Sequence, residues 1–296
     1  MGIEVPNSAR VARPRTSAPA GACDSHIHIY DARFASAPGQ SPVPRATVAE
    51  YRLLQQRIGT SRVVIVQPRA SGTDNAVTMD AVSQFGFANA RGVGVSRTDV
   101  TGAELKAMHE GGIRGLRFSV HEPHLGVTTV DMVEPLARRI HALGWHVQLH
   151  MMAAQIAAHA AMIERLPCPV VIDHRGRLPA QEGVSHPAFA VIRRLLDAGR
   201  TWVKISGPYL DSKSGGPAWA DVAPAAKALI VAAPERMLWG SDWPHPTERG
   251  EKPDDAAFFD RLADWAPDEA TRRRILVDNP REIYGFGEPI HPEEKP

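Results

Sequence analysis

The sequence predicts an α/β protein with one (β/α)8 TIM barrel, and three observations lead to this fold. Eight short β-branched or apolar runs alternate with segments of helical spacing, at intervals of about 25 to 40 residues. Polar residues stand at the C-terminal end of nearly every run, where a barrel gathers its functional side chains. No Gly-x-Gly-x-x-Gly motif follows the first run, which disfavours a doubly wound open sheet.

Each element is predicted from local periodicity. The strands are short apolar runs such as Arg-Val-Val-Ile-Val-Gln-Pro, and the helices repeat apolar residues every three to four positions. The predicted strands lie at 22–30, 62–68, 91–97, 113–120, 146–151, 169–175, 202–207 and 237–243. The predicted helices lie at 47–58, 75–85, 101–110, 131–143, 153–166, 186–198, 218–233 and 254–278, the last as one or two helices.

The chain is expected to form a single domain with an N-terminal arm. Its 296 residues, 43% of them hydrophobic, can bury one large core or two modest ones, and no linker divides them. We therefore assign the barrel to residues 21–296. Residues 1–20 hold three arginines and three prolines but no apolar core of signal-peptide length, so they are expected to lie on the domain or stay mobile.

Charge and cysteine content limit the possible partners. The formal net charge is +1 and no long run of one sign occurs, which argues against binding to nucleic acid or to an anionic membrane surface. No run is long enough to span a bilayer. Cys23 and Cys168 indicate neither a disulfide framework nor a thiolate zinc site, so a reducing cytoplasm is the default location. A small molecule is the expected partner.

The most informative motif is the His26-x-His28 pair at the end of the first predicted strand. Side chains two apart on a strand point the same way, so both imidazoles can converge on a metal ion or a reacting carbonyl. Such a pair is also common as ordinary structure. His150, His174 and Asp242 stand at the ends of strands 5, 6 and 8, and this joint arrangement favours a functional site. Imidazoles with a carboxylate match the ligand preferences of zinc and similar ions.

Other mouth residues have both a functional and a structural interpretation. Asp242 could cap the next helix, but a carboxylate fixed at a strand end suits a general base. Arg117 and Arg177 could grip a substrate carboxylate or form rim salt bridges. Lys204 comes from strand 7. His124 follows strand 4 and His245 follows Asp242, so both could reach a substrate.

Several segments together resemble the amidohydrolase superfamily, in the branch that contains 2-pyrone-4,6-dicarboxylate lactonase and 4-sulfomuconolactone hydrolase. The resemblance covers Ala22 to Tyr284 and implies a (β/α)8 barrel that hydrolyses a lactone bearing acid groups. The segments that carry it are Asp24-Ser-His-Ile-His28, Gly72-Thr-Asp-Asn75, His109-Glu-Gly-Gly-Ile-Arg-Gly-Leu-Arg-Phe118, Val171-Ile-Asp-His-Arg-Gly-Arg177 and Trp239-Gly-Ser-Asp-Trp-Pro-His-Pro246.

The resemblance leaves the cofactor open. The pyrone dicarboxylate enzyme works without a metal and carries a tyrosine where His150 stands. Histidine at this position completes the ligand set of the superfamily's metal enzymes. The resemblance thus implies one divalent ion, zinc or manganese, held by His26, His28, His150 and Asp242, while metal-independent catalysis stays an alternative. No lysine stands at the strand 4 position where two-metal relatives place one.

We expect a hydrolase that opens a carboxylated or sulfonated lactone. Asp242 would deprotonate the attacking water, and His174 would orient that water or stabilise the oxyanion. The family's lactonase uses further arginines after strands 4 and 7, where this chain has other residues, so the lactone is expected to differ. The predicted substrate-binding residues are Arg117, Arg177, Arg69, Lys204, Tyr209, His124 and His245.

Three alternatives remain at this stage. One is a metal-dependent non-oxidative decarboxylase of an aromatic acid. Another is a sugar-acid lactone isomerase, although the isomerising relative departs from both the His-x-His and the Asp242 positions. The third is a ligand-binding barrel with a dead site, which usually loses polar mouth residues. The sequence does not predict the oligomeric state.

Overall fold

The computed structural model describes residues 2–39, 45–122 and 126–288. Eight parallel strands form one sheet in chain order, and each pairs with the next, which confirms the (β/α)8 barrel. The strands are β1 Cys23–Ile27, β2 Arg62–Val66, β3 Ala90–Gly94, β4 Ile113–Ser119, β5 His146–His150, β6 Val170–Ile172, β7 Thr201–Ile205 and β8 Met237–Trp239.

Helices follow the strands and cover the outside of the sheet. The helices are α1 Val48–Ile58, α2 Ala76–Phe85, α3 Gly102–Glu110, α4 Val133–His141, α5 Ala153–Ala158, α6 Ala160–Arg165, α7 Pro187–Asp197, α8 Ala223–Ala232, α9 Asp255–Trp265, α10 Glu269–Arg273 and α11 Asn279–Tyr284. Short 3₁₀ turns at Arg69–Ser71 and Pro208–Leu210 follow β2 and β7, and His174–Arg177, after β6, forms a left-handed turn with positive φ at every residue. In the part of the chain that the structure describes, none of the helices has the length and apolar character needed to cross a membrane.

Helix α1 shows why these segments form helices. Thr47 accepts a hydrogen bond from the Glu50 backbone N–H, and the Glu50 carboxylate accepts one from the Thr47 N–H, which makes a capping box. Tyr51, Leu54 and Ile58 are spaced for one face and are buried. Gly59 ends the helix at φ 87°, a conformation that glycine adopts without strain.

The structure differs from the predicted elements in two places. The segment predicted as one helix over 153–166 divides at His159 into α5 and α6. The segment 254–278, predicted as one or two helices, forms two, α9 and α10, and then continues into an unpredicted π-helical turn at Arg274–Asp278. Apolar periodicity continues across both breaks, so periodicity alone does not locate them.

The barrel closes between β1 and β8 at the level of the polar mouth. Ile27 forms a parallel bridge with Trp243, and the Asp242 N–H donates to the His26 carbonyl at 2.8 Å. A side chain at Gly240 would clash, because an added Cβ would lie 2.7 Å from His26 Cβ. The glycine therefore allows β8 to approach β1 closely.

Residues 2–20 contain several ordered contacts with the barrel. The Trp243 indole N–H donates to the Pro6 carbonyl at 2.9 Å, and the buried Arg57 guanidinium donates to Ser8 Oγ at 2.7 Å. Arg15 Nε lies 3.1 Å from Asp260 Oδ2. These contacts place the arm against α1, α9 and the β8–α9 connection.

Candidate active site

The site begins with two imidazoles at the end of β1. His26 is the fourth residue of the strand and His28 follows its end, and both are buried. Their ring centroids lie 5.1 Å apart. The predicted pairing of these two histidines on one side is therefore present in the structure.

Asp242 enters the mouth from the end of β8 and faces this pair. Its Oδ1 lies 3.5 Å from His26 Nε2 and 3.6 Å from His28 Nε2. Its Oδ2 accepts a 2.5 Å hydrogen bond from the Tyr209 hydroxyl. The backbone of Asp242 has φ 66°, a left-handed conformation that is uncommon for aspartate and that turns the chain after the strand.

The imidazoles are oriented by contacts to Nδ1. His28 Nδ1 lies 2.8 Å from the Val66 carbonyl, so it carries the hydrogen and leaves the lone pair on Nε2. His174 Nδ1 lies 2.9 Å from Ser206 Oγ. His26 Nδ1 lies 3.4 Å from Asp173 Oδ1 and 3.5 Å from Lys204 Nζ. The remaining nitrogen of each ring is thereby available to the mouth.

Asp173 is a central residue that sequence reasoning missed. Its Oδ2 accepts hydrogen bonds from Arg117 Nε at 2.9 Å and from Gln148 Nε2 at 3.2 Å. Burial opposes its ionisation, but Arg117, His26 and Lys204 hold the pKa of Asp173 well below its usual range. Its position directly before His174 at a strand end was the available signal.

Lys204 lies in the barrel interior rather than at the mouth. It is fully buried, and its Nζ donates to Gln148 Oε1 at 2.8 Å and lies 3.8 Å from Asp173 Oδ1. Burial lowers the pKa of Lys204 to about 8. This geometry gives no support to the predicted contact with substrate, because an interior amine with protein partners has no exposed surface to offer.

His150 lies across the mouth among cations. Its Nδ1 lies 3.1 Å from Ser119 Oγ and from Arg117 Nη2, and its Nε2 lies 3.3 Å from Arg177 Nη1. The ring of His121 stacks on it at 3.8 Å between centroids. His150 therefore has protein partners at both nitrogens.

The other predicted substrate residues are distributed around the mouth. Arg177 Nε donates to Asp211 Oδ1 at 2.8 Å, and Arg69 Nη1 lies 3.6 Å from Glu122, with both of these last side chains about half exposed. His245 is fully buried behind Tyr209. His124 lies outside the described residues.

Burial sets the protonation states of the cluster. It lowers the pKa of His26 to about 4 and the pKa values of His150 and His174 well below 6.5. Burial opposes ionisation of Asp242, but the facing His174 and His26 hold its pKa well below the usual range. At neutral pH His26, His150 and His174 are thus neutral, and Asp173 and Asp242 are ionised.

This donor set fits a divalent cation. His26, His174 and Asp242 form one group whose potential ligand atoms all lie within 4.8 Å, and His150, Asp173 and His174 form a second. Within the described ranges, His26 Nε2 is buried without a hydrogen-bond partner. Neutral imidazole nitrogens and carboxylate oxygens are ligands that zinc and manganese accept. His150 meets His174 in the second group and does not share the group of Asp242.

Known proteins with similar sequences cover almost the whole chain. A family model described as Amidohydrolase matches residues 23–286. The chain is 33% identical to 2-pyrone-4,6-dicarboxylate hydrolase of Comamonas testosteroni, over 93% of this chain and 94% of the relative. It is 34% identical to 4-sulfomuconolactone hydrolase of Rhizobium radiobacter, over 90% and 91%. The apo crystal structure of an Agrobacterium tumefaciens protein matches with a TM-score of 0.87 and 29% identity, over 96% of this chain and 99% of that chain.

Proposed function

The chain belongs to the amidohydrolase family, and we propose that it opens the ring of a small lactone that carries a carboxylate or sulfonate group. One observation carries this proposal. Asp242 stands at the end of β8 with Oδ1 facing His26 and His28 and with Oδ2 held by Tyr209. The names of the two relatives, both hydrolases of acid-bearing cyclic esters, support the substrate class.

In this proposal Asp242 is the general base. Its low pKa keeps the carboxylate ionised and able to accept a proton, and its turned backbone holds it in one place. A water beside Oδ1 loses its proton to Asp242 and attacks the lactone carbonyl; the acyl C–O bond of the ring then breaks, and its oxygen takes up the proton from Asp242. His174, fixed by Ser206 at Nδ1, orients that water or, when an ion is present, joins its ligands.

Arginines are proposed to bind the acid group of the substrate. Among the described residues, Nη1 of Arg117 takes no hydrogen-bond partner, and the Arg69 side chain is 45% exposed beside Glu122. Arg177 lies beside His150 and completes this cationic side. Guanidinium donors match the paired oxygens of a carboxylate or sulfonate.

We further propose one divalent ion, zinc or manganese, as the cofactor. His26, His28 and Asp242 would hold it, and the geometry favours His174 over His150 as the further imidazole. The ion would supply Lewis-acid polarisation of the lactone carbonyl and a lower pKa for the attacking water.

The test is a screen of carboxylated and sulfonated lactones with the wild-type protein, followed by Asp242→Asn on the best substrate. Ring opening is measured as proton release in a pH-stat, and products are separated by chromatography. Asn is nearly isosteric but cannot accept the proton, so we expect kcat to fall by about 1,000-fold or more with the fold intact.

Asp260→Asn is the matched control, because Asp260 contacts the N-terminal arm rather than the mouth. Asp242→Asn retaining more than about a tenth of wild-type kcat would remove Asp242 from the role of base. Release of carbon dioxide would instead indicate the decarboxylase, and a rearranged lactone the isomerase.

A further inference from the structure

Three polar side chains lead from Asp242 away from the mouth. The Tyr209 hydroxyl donates to Asp242 Oδ2, His245 Nδ1 lies 3.2 Å from the Tyr209 oxygen, and His245 Nε2 lies 3.2 Å from each oxygen of Asp255. His245 and Asp255 have no exposed surface. We propose that Tyr209, His245 and Asp255 are positioning residues that fix the Asp242 carboxylate, an inference that rests on the proposed role of Asp242 as base.

The hydrogens available on these side chains determine which atom donates in each hydrogen bond. The phenol has a single hydrogen, and the 2.5 Å contact assigns it to Asp242 Oδ2. The Tyr209 oxygen can then only accept, and His245 Nδ1 is the donor within reach. His245 Nε2 lies 3.2 Å from the Asp255 carboxylate, so the ring is held at both nitrogens, by Tyr209 on one side and by Asp255 on the other.

Asp255, the side chain farthest from Asp242 in this series, lies in a regular helix. Asp255 is the first residue of α9, an 11-residue helix whose N-terminus favours a carboxylate. His245 is tied to Asp242 through the backbone as well, because its N–H donates to the Asp242 carbonyl at 2.8 Å. The carboxylate of Asp242 is thus held from its backbone and from Oδ2, which leaves Oδ1 directed at His26 and His28.

This role differs from the substrate contact predicted for Tyr209 and His245 from the sequence. A fully buried imidazole behind another side chain cannot touch a substrate. Loss of a substrate contact mainly raises KM, whereas loss of a fixed base mainly lowers kcat. The two roles therefore predict different kinetic changes.

The experiment is a double-mutant cycle with Tyr209→Phe and Asp255→Asn. We expect each variant to lower kcat by about 10- to 100-fold with KM within about threefold of wild type. Asp255 acts through Tyr209, so the double variant should have a kcat no more than about threefold below that of the weaker single variant. Additive losses in kcat, or losses carried by KM, overturn the proposal.

Matched controls exist for both substitutions. Tyr284→Phe removes a buried hydroxyl that has no hydrogen-bond partner in the described part of the chain. Asp260→Asn changes the same helix α9 on the side that contacts Arg15. Both should leave kcat and KM unchanged. His245→Gln replaces Asp255→Asn in the cycle if the latter does not fold.

A second measurement separates this inference from the proposed function. The same cycle is run on the urea midpoint of the metal-free protein, without substrate. If the wild type opens no lactone but the two midpoint shifts are non-additive, the proposed function fails, while the coupling of Tyr209 to Asp255 through His245 stands. If the wild type is active, the kinetic cycle tests the proposal. If the wild type is inactive, additive midpoint shifts would overturn the proposed coupling of Tyr209, His245 and Asp255.

Discussion

The two sides of the barrel mouth are held together by different interactions. On the side of β1 and β8, backbone hydrogen bonds and a positive φ at Asp242 place one carboxylate against His26 and His28. On the side of β4 to β6, ion pairs dominate, and Arg117 binds the buried Asp173. The first side is fixed by covalent geometry and short backbone contacts, whereas the second depends on charges that balance one another.

This contrast indicates that the two sides have different roles, one placing the base and the other recognising the acid group of the substrate. A base must be placed within a fraction of an ångström, and backbone anchoring provides that. A cation that recognises an acid group needs a donor left over after its own counter-ion is satisfied. Arg177 and Arg175 both form ion pairs with Asp211, whereas Arg69 is paired only with the half-exposed Glu122. The guanidinium groups therefore differ in how strongly their protein partners compete with a substrate acid group.

Of the changes that compare the two sides, the largest effect is expected from removing the imidazoles that meet Asp242, His28 on the first side and His174 at the end of β6. His28→Ala and His174→Ala should lose the divalent ion that copurifies with the wild type and lower kcat by about 100-fold or more, because each removes a proposed ligand. His150→Ala should retain more of the ion, since His150 lies in the second group. Elemental analysis of protein purified without added metal gives the measurement.

His141→Ala serves as the control for these variants, because His141 is exposed at the end of α4. The comparison of His150→Ala with His174→Ala identifies the imidazole that completes the ligand set. Full activity of metal-free protein in strong chelator would place the chain with the metal-independent alternative instead.

A smaller effect is expected from Arg117→Met on the second side. Met keeps most of the volume of the stem but removes the guanidinium, so kcat/KM for an acid-bearing lactone should fall by about 30- to 1,000-fold. The kcat/KM for a neutral lactone of similar size should fall less. That smaller fall measures how far Arg117 contributes by holding Asp173 in place. Kinetics with both substrates provide the measurement.

Arg114→Met is the control on the same strand, because Arg114 donates to the carbonyls of His109 and Ile113 rather than to the mouth. Equal losses on the acid and neutral lactones with Arg117→Met would show that this arginine only holds Asp173 in place.

The smallest effect is expected from Arg69→Met. This side chain is 45% exposed, so water and salt screen its charge, and kcat/KM for the acid-bearing lactone should fall by about 3- to 10-fold at low ionic strength. The loss should shrink at about 0.5 M salt, where screening is stronger. A loss that is the same for a neutral lactone, or that does not depend on salt, would exclude a role in recognising the acid group.

Much of the site could be anticipated, but partners across the barrel could not. The alternation that pairs His26 with His28 is local, and so is the strand end that exposes Asp242. Asp24 shows the limit, because it accepts hydrogen bonds from the Tyr51 hydroxyl and the Ser241 N–H, both far away in sequence. Burial raises the pKa of Asp24 to about 6, a property that no local pattern reveals.

The sequence by itself determined the barrel, the order of its elements and the position of His26, His28, His174 and Asp242 at strand ends, because periodicity and strand ends depend on neighbours within a few positions. Only the tertiary structure decided which of the polar residues are buried and which side chains they contact. It buries Lys204 in the interior, puts Asp173 in contact with Arg117, and joins Asp242 to Tyr209 and through it to the buried His245. These contacts join strands and loops that are distant in the chain, and the register and closure of the sheet set their distances.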